Sequence, residues 1–256
     1  MKGVRMEVAD RIAVVTLDNP PVNTVPLEVM EGLIEAFDLI SDRDDVGVAV
    51  LTGAGRCFCA GADLKNRDPM GSAPPGAAWR RLRLARESGY AIMECKKPVI
   101  AAVNGPALGA GLGIAASADI LVASDTAVFG LPEIDVGLMG GARHAMRIFP
   151  HSLVRRMALS GYRVPAAEVY RRGLIEACLP PDELMPFAMA MAREIAAKSP
   201  VAVVLAKDGL ATIETMTVRD GYRHEQNNTH RLSKTEDAKE AVRAFVERRA
   251  PVFQGR

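Results

Sequence analysis

Val99-Ile100-Ala101-Ala102-Val103-Asn104-Gly105-Pro106-Ala107-Leu108-Gly109-Ala110-Gly111-Leu112-Gly113 is the stretch on which the reading of this chain turns. Five consecutive apolar residues without polar alternation predict a strand buried on both faces, Val99–Val103. Asn104-Gly105-Pro106 then predicts a turn, and the small residues from about Ala110 predict a short helix. The uncharged run 98–118 is close to the ~20 residues that a membrane helix needs. Asn104, Pro106 and the glycines at 105, 109, 111 and 113 would break such a helix, so a strand, a turn and a helix are expected and no membrane span.

A second unit of the same kind lies upstream. The apolar run 46–51 is followed by Thr52-Gly53-Ala54-Gly55-Arg56-Cys57-Phe58-Cys59-Ala60-Gly61-Ala62-Asp63-Leu64. Small residues in both turns let a ligand approach the backbone, and amides at a helix start point outward at the positive end of the dipole. Two such turns side by side can aim two N–H groups at one oxygen, which is the geometry of an oxyanion hole. Composition alone reads them equally well as tight strand-to-helix turns. Gly111-Leu112-Gly113-Ile114-Ala115-Ala116 also fits the GxGxxA dinucleotide pattern, which keeps an NAD-dependent oxidoreductase as a distant alternative. In that fold the first glycine directly follows the strand, whereas here eight residues separate Val103 from Gly111.

Working outward, further strands are expected at Ile12–Leu17 and 120–123. Between the first strands, Pro26 starts a helix whose Leu27, Met30, Leu33, Ile34, Phe37 and Ile40 recur at helical spacing. Strands alternating with helices predict an α/β fold with a largely parallel sheet. From Pro150 on, consecutive helices are expected over 152–160, 166–172, 182–198, 201–213 and 236–249, with a composition shift near 150–165. The stretch 70–78 (MGSAPPGAA) reads as a flexible loop.

The 256 residues hold 32 Lys+Arg against 31 Asp+Glu, a net charge of +1 that gives no footing for a nucleic-acid surface. With 49% hydrophobic residues but only 5% aromatic, and Trp79 as the single tryptophan, the core must be Ala, Val, Leu, Ile and Met. Cys57, Cys59, Cys95 and Cys178 are too sparse for a disulfide-stapled fold and point to a reducing compartment, the cytoplasm. The first seven residues carry charge and no apolar run follows the pattern of a secretion signal. His151, His224 and His230 show no metal-ligand spacing, so no metal is expected.

Five ordered motifs resemble the crotonase, or enoyl-CoA hydratase/isomerase, superfamily. They are Leu17-Asp18-Asn19-Pro20-Pro21-Val22-Asn23, Phe58-Cys59-Ala60-Gly61-Ala62-Asp63-Leu64-Lys65, and Lys97-Pro98 with Val99–Val103 and Asn104-Gly105. The others are Phe129-Gly130-Leu131-Pro132-Glu133, and Thr235-Glu236-Asp237 with Ala244-Phe245-Val246-Glu247-Arg248-Arg249 and Gly255-Arg256. The resemblance implies a ββα spiral core over 1–195 carrying the CoA and acyl site, then a helical trimerisation region over 196–256. It also implies a homotrimer or a hexamer made of two trimers, and an acyl-CoA thioester as substrate, with coenzyme A as part of that substrate and no permanently bound cofactor. A place in fatty acid metabolism follows from the same likeness.

By the resemblance, the amides of Ala62 and Ala110 would grip the thioester oxygen and stabilise an enolate. Ala60, Asp63, Leu64 and Lys65 fall where the family lines the CoA and acyl entrance. Phe245 and Arg248 fall where a neighbouring subunit touches the nucleotide end, although by themselves they read as a core residue and a solvated charge. Arg80, Arg81, Arg83 and Arg86 form a basic run that suits CoA phosphates or, more simply, a solvated helix face.

The chain departs from the family at the catalytic carboxylates. Hydratases of the family resemble one another in carrying two glutamates; Glu133 matches the second, and the first falls twenty residues earlier at Gly113, which has no side chain. A carboxylate in an apolar site has a raised pKa, so Glu133 alone can take and return a proton near neutrality. Double-bond isomerisation, or non-standard hydration or lyase chemistry, is expected in place of the two-glutamate route. A CoA-ester carbon–carbon bond hydrolase, a decarboxylase of the same superfamily and a non-catalytic CoA-binding relative are the alternatives. Arg143 and His144 follow Gly140-Gly141 where most relatives have small residues, making His144 a candidate second acid/base. Asp68 and Asp135 are further acids near the site, and Asp135 is expected to face away from Glu133 on an extended segment.

Overall fold

The architecture follows from two faces of one buried sheet. In a computed structural model of the chain, residues 1–64 and 74–256 are described. β1 (Val4–Ala9) and β2 (Ile12–Leu17) form an antiparallel hairpin. After α1 (Leu27–Asp42), β3 (Val48–Gly53) pairs parallel with β2, and α2 (Ala77–Met93) leads to β4 (Val99–Val103) beside β3. The two-residue β5 (Ala107–Leu108) and α3 (Ala110–Ala115) precede β6 (Ile120–Ser124), which pairs parallel with β4. β7 (Val128–Gly130), a 3₁₀ turn over Pro132–Val136, α4 (Ala142–Ala145), α5 (His151–Ser160) and β8 (Arg163–Pro165) come next. The chain then runs through α6 (Ala166–Arg171), β9 (Ala177–Leu179), α7 (Pro181–Ala196), α8 (Pro200–Ile213), α9 (Val218–Leu232) and α10 (Glu236–Glu247).

The main sheet has the order β1-β2-β3-β4-β6-β9, and β5-β7-β8 form a second, smaller one. Central strands of the main sheet are buried on both faces, so they are near-continuously apolar. Ala49, Leu51, Ala101 and Val103 face a core shared with Leu33, Phe37, Ile40 and Ile92 of α1 and α2. Val48, Val50, Ile100, Ala102 and Val122 face the other way, onto Leu184, Ala188, Ala192 and Ala196 of α7. Small side chains every four residues let α7 lie close on the sheet.

Three expectations need correction. The region after Pro150 is not purely helical, because β8 joins the small sheet and β9 pairs with β6 to extend the main one. Three-residue strands are too short to show a period. The strand expected at 46–51 lies two residues later as β3, and α2 already begins at Ala77, inside the expected loop; the loop's residues 70–73 lie outside the described residues. Besides β8 and β9, the hairpin strand β1, the short β5, β7 and α4, and the helix α9 had no counterpart in the reading. The polar α9, with a glycine at 221, lacks an apolar stripe strong enough to announce itself, and is started instead by the Thr217 side chain accepting from the Asp220 amide.

Helix α8 is fastened to the sheet by a buried cation. Lys207 Nζ, on a side chain 7% exposed, lies 2.9 Å from Asp119 Oδ2 and donates to the Lys97 carbonyl at 2.9 Å. Asp119 Oδ2 also accepts the Val99 amide at the start of β4, at 2.7 Å. Lys207→Met keeps the stem and removes the charge, stranding Asp119 and two carbonyls. It is expected to lower stability by about 2–3 kcal/mol, below the range for fully buried pairs because Asp119 reaches solvent. Urea unfolding measures this, and an unchanged midpoint would refute it. A second buried acid, Asp237, accepts from the Gln254 and Gly255 amides and from Ser199 Oγ. Burial pushes its pKa up, but these donors outweigh burial and hold it below the usual carboxylate range.

Candidate active site

The two glycine turns found in the sequence do lie together, tied by the side chains of Asn104 and Thr52, by Cys57 Sγ donating to the Pro106 carbonyl and by a backbone bridge, while Asn23 braces the first turn. Asn104, directly after β4, accepts the Gly53 amide through Oδ1 and donates through Nδ2 to the Gly55 carbonyl. Thr52 Oγ1 donates to the Ala102 carbonyl. Asn23, 2% exposed, donates through Nδ2 to the carbonyls of Ala54 and Cys57 at 2.9 and 2.7 Å. A parallel bridge between Cys59 and Ala107 then joins the turns along their backbones. Asn23 appeared in the sequence only as part of a motif. A buried amide that close to a proline pair and an isolated φ of +53° gave no pattern to read.

This bracing brings Gly61 against the start of α3. A Cβ on Gly61, whose φ is +98°, would stand 2.8 Å from the Leu108 carbonyl oxygen and 3.5 Å from the Ala110 nitrogen. Only glycine allows the approach. Ala62, the next residue, bridges Val25, and the Val25 amide goes to the Gly61 carbonyl. Among the described residues, neither the Ala62 nor the Ala110 amide has an acceptor.

Glu133, on the 3₁₀ turn after β7, reaches the same place. A Cβ on Gly109, the residue before α3, would lie 2.6 Å from Glu133 Oε1, so the carboxyl lies directly on the turn that presents Ala110. Its Oε2 is buried and has no hydrogen-bond partner among the described residues. Burial pushes its pKa above the usual glutamate value. An orphan oxygen of that kind is costly unless something else occupies its lone pairs. Gly141 packs over the Gly109 carbonyl, 3.2 Å from where its Cβ would be.

Gly113, the residue in the first glutamate's place, faces open space among the described residues, none of which lies within 4 Å of a Cβ built on it. His144 is half-buried on α4 and stands beyond that space, beside Gly89 of α2 and Ser117. Burial, then the charges of Arg147 and Arg143, push its pKa below the ordinary histidine value. Asp135 is exposed and turned toward Gly161 at the end of α5, away from Glu133, though it sits on a 3₁₀ turn and not the extended segment expected. Gly111 packs on the Cys59 carbonyl, and α3 starts after β5 instead of directly after β4. That spacing is not the dinucleotide fingerprint's.

Ala60 is partly buried and Leu64 is 46% exposed at the rim, with Asp63 between them. Lys65 and Asp68 lie outside the described residues. Phe245 is 85% exposed on α10, so the reading of it as core is wrong for this chain, and Arg248 caps the same helix with φ +55°. Arg80 is paired with Glu31 of α1. Among the described residues, no helix is long and apolar enough to cross a membrane.

Two free amides on glycine-built turns lie beside one half-buried carboxyl, on an α/β core with a helical end. The chain belongs to the enoyl-CoA hydratase/isomerase family, whose profile matches residues 7–256. It is 34% identical over 250 residues to a probable mitochondrial enoyl-CoA hydratase of Dictyostelium discoideum, covering 96% of this chain and 88% of that protein. It is 36% identical over 241 residues to a (7aS)-7a-methyl-1,5-dioxo-2,3,5,6,7,7a-hexahydro-1H-indene-carboxyl-CoA hydrolase of Mycobacterium tuberculosis, covering 93% and 95%. The crystal structure of an enoyl-CoA hydratase from Bacillus anthracis superposes over 100% of both chains with a TM-score of 0.93 at 28% identity. The crotonase-like α/β fold expected from the motifs is therefore the fold of this protein, and it is an acyl-CoA-processing enzyme of that superfamily.

Proposed function

We propose that this enzyme moves a proton on an acyl-CoA thioester through an enolate, with Glu133 as the single acid/base. The observation that carries the reading is the Glu133 carboxyl, with a buried, unpartnered Oε2, resting on the Gly109 turn beside the free Ala110 amide. In this reading the Ala62 and Ala110 N–H groups bind the thioester oxygen and stabilise the charge that develops on it. Glu133 takes a proton from the carbon next to the thioester, or further along the chain, and returns it elsewhere, shifting the double bond. Ala60, Asp63 and Leu64 serve the entrance for CoA and acyl chain, a role that the family likeness extends to Lys65, outside the described residues. Phe245 and Arg248 serve a neighbouring subunit's nucleotide end in a trimer or hexamer, for which residues 196–256 are the oligomerisation region. The large exposure of Phe245 supports that role. Four thiols without disulfides fit the cytoplasm.

A second reading has one observation in its favour. The space at Gly113, open among the described residues, leaves room for a bulky acyl group where a hydratase would hold a water, which suits a CoA-ester carbon–carbon bond hydrolase; the relative from Mycobacterium tuberculosis, named for a bicyclic carboxyl-CoA, is itself called a hydrolase. Incubation of 2-enoyl- and 3-enoyl-CoA in deuterated water separates the two. The proton shuttle is expected to yield the isomeric enoyl-CoA with deuterium at the protonated carbon. Net addition of water without isomer, or no exchange on any enoyl-CoA, refutes it.

A further inference from the structure

We infer that His144 sets substrate specificity, by donating a hydrogen bond to an electron-rich oxygen, ketone or carboxylate, at the far end of the acyl group. The inference rests on the acyl-CoA reading above and goes beyond it in naming what the acyl group carries.

Gly113 and Ser117 are four residues apart along α3 and its last turn, and therefore share a face. Over Gly113 that face is open, while at Ser117 it is closed by the His144 ring and by Gly89 of α2. A Cβ on Gly89 would lie 3.1 Å from His144 Nε2 and 3.4 Å from Ser117 Oγ, so the absent side chain is what admits the imidazole between α2 and α3. Ser117 has already committed its proton, donating to the Gly113 carbonyl at 2.9 Å. His144 has not. It makes no hydrogen bond among the described residues, and its ring nitrogens are not among the sealed polar atoms. From the Ala110 amide to Ser117 is roughly 10 Å at 1.5 Å per residue, which sets the imidazole at the distal end of a substrate held at Ala110. The surroundings choose the partner's polarity. Arg147 donates to the Ala116 carbonyl beside the ring, and both it and Arg143 act on the imidazole electrostatically. Burial, and after it these two guanidinium charges, hold the imidazole pKa below its ordinary value, and the same charges favour an electron-rich oxygen as the partner of a ring N–H.

The test uses matched enoyl-CoA esters of equal length ending in a methyl group, a ketone or a carboxylate, with kcat and KM by kinetics and Kd by calorimetry. Wild type is expected to favour at least one oxygen-bearing ester about tenfold in kcat/KM and Kd, the effect of one hydrogen bond of about 1.4 kcal/mol. His144→Leu is expected to erase that preference through KM and Kd with kcat on the methyl ester unchanged, and His144→Gln to restore part of it. Gly89→Ala, which displaces the ring without removing it, guards against a folding defect in the first variant and is expected to reduce the same preference. No preference in wild type, or equal losses on all three esters in His144→Leu and Gly89→Ala, overturns the inference. Failure of wild type to bind any of the esters overturns the acyl-CoA reading instead.

Discussion

Glu133→Gln is expected to lower turnover by about 10²–10⁴-fold, the usual contribution of a positioned acid/base, while acyl-CoA binding stays close to that of wild type. The substitution keeps the shape that rests on Gly109 but removes the carboxyl that lies on that turn. Wild-type kcat/KM is expected to rise with pH through a midpoint above the ordinary glutamate value, because burial raises the Glu133 pKa and the base acts in its ionised form. The sign for stability is opposite to that for activity. A carboxyl whose folded pKa is raised favours the folded state in acid, and this benefit is lost as pH rises through the folded value. At neutral pH the glutamine variant is therefore expected to melt no lower than wild type, which calorimetry can read beside the kinetics. A variant that keeps full turnover on every substrate would remove Glu133 from the mechanism.

Gly109→Ala is expected to cost both fold and rate. Gly109 has φ +56° and ψ −120°, a conformation that costs an L residue about 1–3 kcal/mol. The added methyl would also meet Glu133 Oε1 at 2.6 Å, so either the carboxyl or the turn must move. Because the next residue is Ala110, movement of the turn takes its amide out of line, and loss of one such donor is worth about 10²–10³ in kcat. Thermal unfolding and steady-state kinetics on the same preparation test the pair. Retention of wild-type kcat by a folded Gly109→Ala protein would show that this turn does not serve the reaction.

The strands at the centre of the sheet were legible because burial leaves them almost wholly apolar; Val99–Val103, and Ile12–Leu17 with Thr16 as its one polar residue, lie where their runs predict. The edges were not, since β8 and β9 have three residues each and draw their pairing from strands far away in sequence. At the site, the glycine turns announced a close backbone approach, and motif likeness supplied Glu133. What no spacing argument reaches is the set of long-range polar ties: Asn23 to Cys57, which braces the first turn, and Asn104 to Gly55, which joins it to the second. The same holds for His144, whose setting depends on a missing side chain at Gly89, more than fifty residues earlier.

The carboxylate of Asp119 links regions that function would otherwise keep separate. One oxygen receives the Val99 amide, which begins the strand leading into the Ala110 turn, and also meets the ammonium of Lys207 from α8. One atom therefore anchors both the start of β4 and helix α8, so the helical end of the chain and the strand that leads into the Ala110 turn share a single fastening.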